Sequence, residues 1–199
     1  EIELVHAQTV AACIVSIVRH NEAGVVKIPG HVTVVSDLLD RLRRLAGEYS
    51  AHVLPSVSDS LSLELFNTYR SYLFPKHYPM VLERRADARG SLFEVVRTVH
   101  GGQCFFSTTK PGITRGNHYH TAKIERFLVA QGEAIIRLRR LFSTDVHEYH
   151  VSGDKPVYID MPTFYTHNIS NAGSGELLTL FWAHEIFDPN RPDTYPEPV

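Results

Sequence analysis

The chain has 199 residues, 43% hydrophobic and 21% charged, which is globular composition and excludes disordered, collagenous and coiled-coil chains. Twenty Lys and Arg against 22 Asp and Glu leave a formal charge of -2, so the balance points neither to nucleic acid nor to an anionic membrane. The longest apolar run, Val10 to Val18 broken at Ser16, is too short for a membrane span, and no secretory signal is visible.

Residues 1 to 78 read as mostly helical. Val10, Ile14, Ile17 and Val18 recur at helical spacing, and Asn21 to Gly24 closes that helix. Val25 to Ile28 is a short strand candidate, ended by Pro29 and Gly30. Thr33 is placed to cap a second helix with Leu38, Leu39, Leu42 and Leu45 as its apolar stripe, stopped at Gly47. Asp59 or Ser60 caps a third, carrying Leu61, Leu65, Thr68, Tyr69 and Tyr72 on one face. Pro75 and Pro79 then punctuate the chain, and a second domain is expected from residue 79 to 199.

From residue 80 the texture changes to short β-rich runs. Turn residues separate them at Gly90, Gly101-Gly102, Lys110 to Gly112, Gly132, Ser152 to Asp154 and Gly173 to Gly175. Many short strands at near-regular spacing indicate a sandwich or barrel. The proline-rich tail from Asp188 is expected to lie extended on the surface. Cys13 and Cys104 are too few and too far apart for a disulfide framework, which suits a reducing cytoplasm, the expected location. The opening at Glu1 reads as a piece of a longer protein.

Histidine is the unusual count, at 12. His118 and His120 are two apart, which on a strand puts both rings on one face. Thr121 to Lys123 can turn the chain so that the next strand returns Glu125 beside them, and His167 offers a fourth ligand from another strand. Imidazoles and a carboxylate converging on one point suit a divalent transition metal. An H-x-H pair alone also occurs on ordinary strands; Glu125 and His167 are what raise it. His6, His20, His31, His52, His77 and His100 have no companion ligand nearby. His147 and His150 are three apart and point to opposite faces. His184 beside Glu185 reads as a supporting rather than a ligating group.

These residues resemble a family. Gly112, His118, His120, Glu125 and Gly132 match the spacing of the first cupin motif, and Pro162, His167 and Asn171 match the second. The second departs at Phe164, where the motif has glycine. The resemblance implies a mainly β cupin, a double-stranded β-helix or jelly-roll barrel, preceded by the small helical segment. It also implies one divalent metal, with Zn2+ the expected ion, held by His118, His120, Glu125 and His167.

Asp87 to Glu94 and Arg115 to Tyr119 resemble the cupin-type epimerases that act on nucleotide-linked 4-keto-6-deoxy sugars. In that group the matching His is a catalytic base on a metal-free site. The stretches Lys110 to His118, Glu148 to Asp154, Tyr165 to Ile169 and Glu185 to Tyr195 look like the C-terminal cupin of the capsular polysaccharide-assembling bifunctional enzyme, CapF type. Residues 1 to 78 then look like the tail of its short-chain-dehydrogenase reductase. No glycine-rich phosphate loop follows an opening strand, so NADPH would belong to the longer enzyme and not to this chain.

The resemblance implies C3 epimerisation of a UDP-linked 2-acetamido-2,6-dideoxy-4-hexulose, on the way to a capsular or O-antigen amino sugar of the UDP-L-FucNAc type. A homodimer through the cupin is expected from it, with no nucleic-acid or membrane partner. The 4-ketone acidifies the C3 proton, so a base must remove it and an acid on the opposite face return it. Candidates are Lys123, Tyr165 and His118, with Tyr119, Lys110 and His184 behind them. Arg89, Glu94, Lys110 and Arg115 are the expected substrate contacts. Arg137 and Arg139 share a face that reads as solvated. Two other functions use the same ligands: a zinc-stapled sugar-binding or dimerisation module without catalysis, and an iron cupin dioxygenase.

Overall fold

Backbone pairing in the computed structural model, which describes residues 1–199, separates the chain into two units: residues 1–51 with 55–79, and residues 52–54 with 80–199. In the first unit β1 (Ile2–Leu4) pairs antiparallel with β2 (His31–Thr33). Helix α1 (Ala7–His20) ends on Asn21, whose φ of 51° lets its N–H reach the Ile17 and Val18 carbonyls. Helix α2 (Val35–Ser50) buries Leu45 and Tyr49, and Tyr49 packs edge-on against Phe66 of α3 (Ser60–Leu73), ring centroids 5.2 Å apart. Asp59 caps α3 by accepting from the Ser62 N–H at 2.9 Å, and Arg41 donates to the same carboxylate.

Four local expectations fail here. Val25 to Ile28 forms no strand; the strand is β2, three residues further on, because β1 supplies its partner there. Thr33 lies inside β2, and α2 begins after Val34 with no side-chain cap. Gly47 does not stop α2, since the burial of Leu45 and Tyr49 on either side offsets glycine's helix cost of about 1 kcal/mol. Tyr72 points into solvent, and Phe66 is the buried aromatic of α3.

The second unit is a cupin barrel of two antiparallel sheets. One has the order β10-β7-β12-β5-β4-β3 and the other β13-β6-β11-β8-β9. In the first sheet the strands are β3 (Arg84–Asp87), β4 (Gly90–Thr98), β5 (Gly102–Thr109), β7 (Glu125–Gln131), β10 (Tyr158–Met161) and β12 (Leu177–Ala183). In the second they are β6 (Thr114–Tyr119), β8 (Glu133–Arg140), β9 (Val146–Ser152), β11 (Tyr165–Asn171) and β13 (Tyr195–Pro196). Alternate residues of β12 and β8 face inward, as a two-residue period requires. Phe127, Val129, Met161, Leu177 and Phe181 from one sheet meet Ala134, Ile136, Leu138 and Ile169 from the other. Each large side chain buried there contributes roughly 1.5–3 kcal/mol. Residues 52–54 join this unit because Leu54 exchanges backbone hydrogen bonds with Arg97 and Val99.

The tail does not simply lie extended on the surface. It adds β13 to the edge of β6, pairing Tyr195 with Tyr119 and Pro196 with His118. Tyr119 is turned away from its neighbouring histidines and stacks on Tyr195, centroids 5.2 Å apart. Arg139 is not left to solvent either, because its guanidinium donates to Glu197 Oε1 and the Pro198 carbonyl.

Candidate metal centre

His118 of β6 is the register partner of His167 of β11, and the ladder shifts by a bulge directly after His167. Gly116 makes this approach possible. It sits at φ 100°, and a Cβ there would stand 2.7 Å from the His167 carbonyl oxygen. His120 lies one residue past the end of β6 and Glu125 opens β7, so four residues of turn carry one ligand round to the other. The Phe164 N–H holds the His120 carbonyl at 2.8 Å from φ 62°, so the glycine-type turn is kept by a phenylalanine. The ligand atoms of His118, His120, Glu125 and His167 all lie within 4.8 Å of one another.

The hydrogen bonds fix how these rings present themselves. His120 Nδ1 stands 2.5 Å from the Asp193 carbonyl oxygen, and His167 Nδ1 stands 3.2 Å from that of Tyr165. A carbonyl only accepts, so both Nδ1 atoms carry the proton and both Nε2 atoms present lone pairs. Those Nε2 atoms lie 3.0 and 3.6 Å from Glu125 Oε2, yet both are buried without a hydrogen-bond partner of proper direction. Burial chiefly, and then the charge of His167, pushes the His118 pKa down to about 4, so that ring is neutral at ordinary pH. Buried acceptors facing one another with no proton between them are costly, and a divalent cation relieves them. Three imidazoles and a carboxylate fit such an ion.

Residues 85–195 match the family described as polysaccharide biosynthesis C-terminal domain. The chain belongs to this family. Its fold is of the CapF type: CapF from Staphylococcus aureus superposes with a TM-score of 0.86 at 34% identity, covering 96% of this chain and 57% of that one. The same figures hold for CapF with the inhibitor 3-isopropenyl-tropolone. A curated relative from Pseudomonas aeruginosa, UDP-2-acetamido-2,6-beta-L-arabino-hexul-4-ose reductase, is 30% identical over 198 residues, 98% of this chain. The chain spans about half the length of that relative, 53%. The spore coat polysaccharide biosynthesis protein SpsL of Bacillus subtilis is 27% identical over 124 residues, covering 56% of this chain and 81% of its own.

In this C-terminal domain the four-residue cluster opens into a cavity of about 240 Å³, where His118, Glu125, Lys123, Glu94, Gln103 and Glu185 line the wall. Of the expected substrate contacts, only Glu94 is in this lining. Arg89 and Arg115 gather instead around Asp87, at 2.6 and 3.9 Å, and Arg115 also donates to Thr109 Oγ1 and the Thr108 carbonyl. Hydrogen bonds from Arg89 draw the Asp87 pKa down to about 2. The exposed Lys110 is tied to the same corner by its N–H on the Arg89 carbonyl. Tyr165 packs against the hydrophobic core outside the lining and serves His167 through its backbone carbonyl. His184 accepts from the Ile124 N–H at 3.0 Å, which makes it a support of the ligand turn. Arg85, Gln103, Phe105 and Phe187 line the cavity without having stood out in the sequence, because nothing local distinguishes them from ordinary strand and loop residues. Asp193 likewise carries no local mark of a role in the site.

Proposed function

We propose that this chain epimerises C3 of a UDP-linked 2-acetamido-2,6-dideoxy-4-hexulose in capsular or O-antigen amino-sugar synthesis. The observation that carries the reading is one cavity in which His118 and Glu125 of the four-residue donor set line the wall beside Lys123 and a separate carboxylate, Glu185. The name of the Pseudomonas relative, a reductase of a UDP-linked 4-hexulose, supports the substrate class. The cavity is smaller than the roughly 300–1,000 Å³ that holds a drug-sized ligand, so it takes the sugar ring and leaves the nucleotide outside. Arg85, which lines the cavity, is then the cation available to the diphosphate, and Glu94 reaches the sugar hydroxyls.

A divalent ion, zinc in this reading, would supply Lewis-acid stabilisation of the enolate oxygen that develops at C4. Glu94 is paired with Arg97 at 3.3 Å, which leaves Glu185 to take the C3 proton. Lys123 returns a proton from the other face. Its ammonium donates to the Pro192 carbonyl at 2.7 Å and Thr194 Oγ1 at 3.2 Å, which leaves a third N–H for the substrate. Tyr165 has no place in this path. His118, as a ligand, is not free to act as a base; in a metal-free site its neutral, unpartnered ring would take that role. Residues 1–78 are, in the same reading, the tail of a reductase whose NADPH site lies in the remainder of a longer enzyme. The enzyme works in the cytoplasm as a homodimer joined through its cupins. No helix is long and apolar enough to cross a membrane.

The test is solvent exchange. The 4-keto UDP-sugar is incubated with the chain in heavy water and C3 is followed by NMR. Deuterium entering C3 with inversion is the expected result, with entry lost in Glu185→Gln and inversion lost in Lys123→Met. A bound metal with no exchange would instead favour a structural zinc module.

A further inference from the structure

His118 and His167 are fixed by strand register, and Glu125 by its pairing with Met161 and Ala183. His120 lies beyond the end of its strand; the Phe164 N–H holds its carbonyl at 2.8 Å, but no strand register orients its ring. What holds it comes from the far end of the chain. Asp193, at φ 40°, accepts from Thr121 Oγ1 at 2.6 Å and from three successive backbone N–H groups: Thr121 at 3.0 Å, Ala122 at 2.9 Å and Lys123 at 2.7 Å. Consecutive N–H groups converging on one carboxylate form an anion nest. The same residue's carbonyl receives the His120 Nδ1 proton, and Lys123 donates to the flanking Pro192 and Thr194. The tail beyond is anchored by β13, by Arg139 on Glu197 and Pro198, and by the Thr166 hydroxyl on the Glu197 carbonyl.

We propose that Asp193 is a positioning residue of the metal centre. Its carboxylate folds the turn between His120 and Glu125, and its carbonyl holds the His120 tautomer that aims Nε2 at the ion. The proposal rests on the reading of the four-residue cluster as a metal site. It gives the C-terminal tail a function in a site it never ligates. Outer groups that orient a ligating histidine typically change metal affinity by about 10- to 100-fold when removed.

Two readouts test it. In the metal-free chain, 15N NMR at about pH 8, above the imidazole range, reports the His120 tautomer, assigned by its loss in His120→Gln. Wild type should show Nδ1 protonated and Nε2 bare; Asp193→Ala should show the two forms averaging. Chelator competition should show zinc bound about 10- to 100-fold more weakly in Asp193→Ala, with Asp193→Asn intermediate, because it keeps an acceptor oxygen and tolerates the positive φ. A folded Asp193→Ala with wild-type tautomer and wild-type zinc affinity overturns the proposal. Should that variant not fold, Thr121→Val, which removes a single hydrogen bond to the carboxylate, decides on the same two readouts. A wild type that takes up no zinc defeats the metal reading by itself, while the tautomer still decides whether Asp193 positions His120.

Discussion

His118 and His167 face each other across the β6–β11 ladder, ring centroids 4.7 Å apart and planes at 78°. Two of the four donors are therefore placed by the hydrogen-bond register of two strands, and anything that alters that register moves them together. Gly116 is the residue on which the approach depends. Gly116→Ala should lower stability by about 1–3 kcal/mol, the scale of a strained backbone position, and reduce metal content. Urea midpoints and elemental analysis check this; wild-type values for both would show that the ladder tolerates a Cβ at this point.

Phe164 holds a left-handed conformation at φ 62°, and the residue is 52% exposed. That conformation costs a residue with a Cβ about 1–2 kcal/mol, and glycine's extra chain entropy returns about 0.5–1 kcal/mol of the gain. Phe164→Gly should be neutral or raise stability by up to about 1 kcal/mol, and Phe164→Val should lower it. Denaturant unfolding of the metal-free chain measures both. A marked loss in the glycine variant would mean that the ring contributes packing its exposure does not suggest.

Asp193 also sets a pH dependence. Burial works to raise its pKa, but hydrogen bonds from the Thr121 hydroxyl and the Ala122, Lys123 and Thr121 N–H groups outweigh it and hold the carboxyl well below the usual range. Below its ordinary value of about 3.9 the unfolded chain binds the proton first. The stabilisation is thus complete above that pH and is lost as pH falls toward the folded value. The stability difference between wild type and Asp193→Asn, both metal-free, should be constant near neutrality and shrink in acid. A difference that grows in acid would reverse the assigned sign.

Lys123 is buried, and methionine matches the length of its stem. Lys123→Met should keep the metal and slow inversion at C3 by about 10²- to 10⁴-fold, the usual worth of a positioned acid or base. Loss of the metal in this variant would make the lysine a support of the turn and not a proton donor.

The convergence of His118, His120, Glu125 and His167 is legible in the sequence because its cues are local. His118 and His120 share a face by parity, Glu125 follows at one turn's distance, and His167 sits in a second β segment of matching texture. Asp193 is not, because it works some seventy residues away through backbone N–H groups that leave no trace in side-chain chemistry. The strand sought at Val25 to Ile28 shows the same limit, since apolar residues make a strand only where a partner edge exists, and β1 offers its edge to His31–Thr33. Arg89 and Arg115 carry the right chemistry for a diphosphate, but Asp87 gathers them at the β3–β4 corner, and neither they nor Lys110 are in the cavity lining.

The central claim is that His118, His120, Glu125 and His167 hold one divalent ion. Titration of the metal-free chain with Co2+, followed by visible absorption, tests it most directly. Saturation at one ion per chain is expected, with the d–d bands abolished in His167→Ala and Glu125→Ala variants that remain folded. No bands in the wild type, or bands that survive both substitutions, would contradict it.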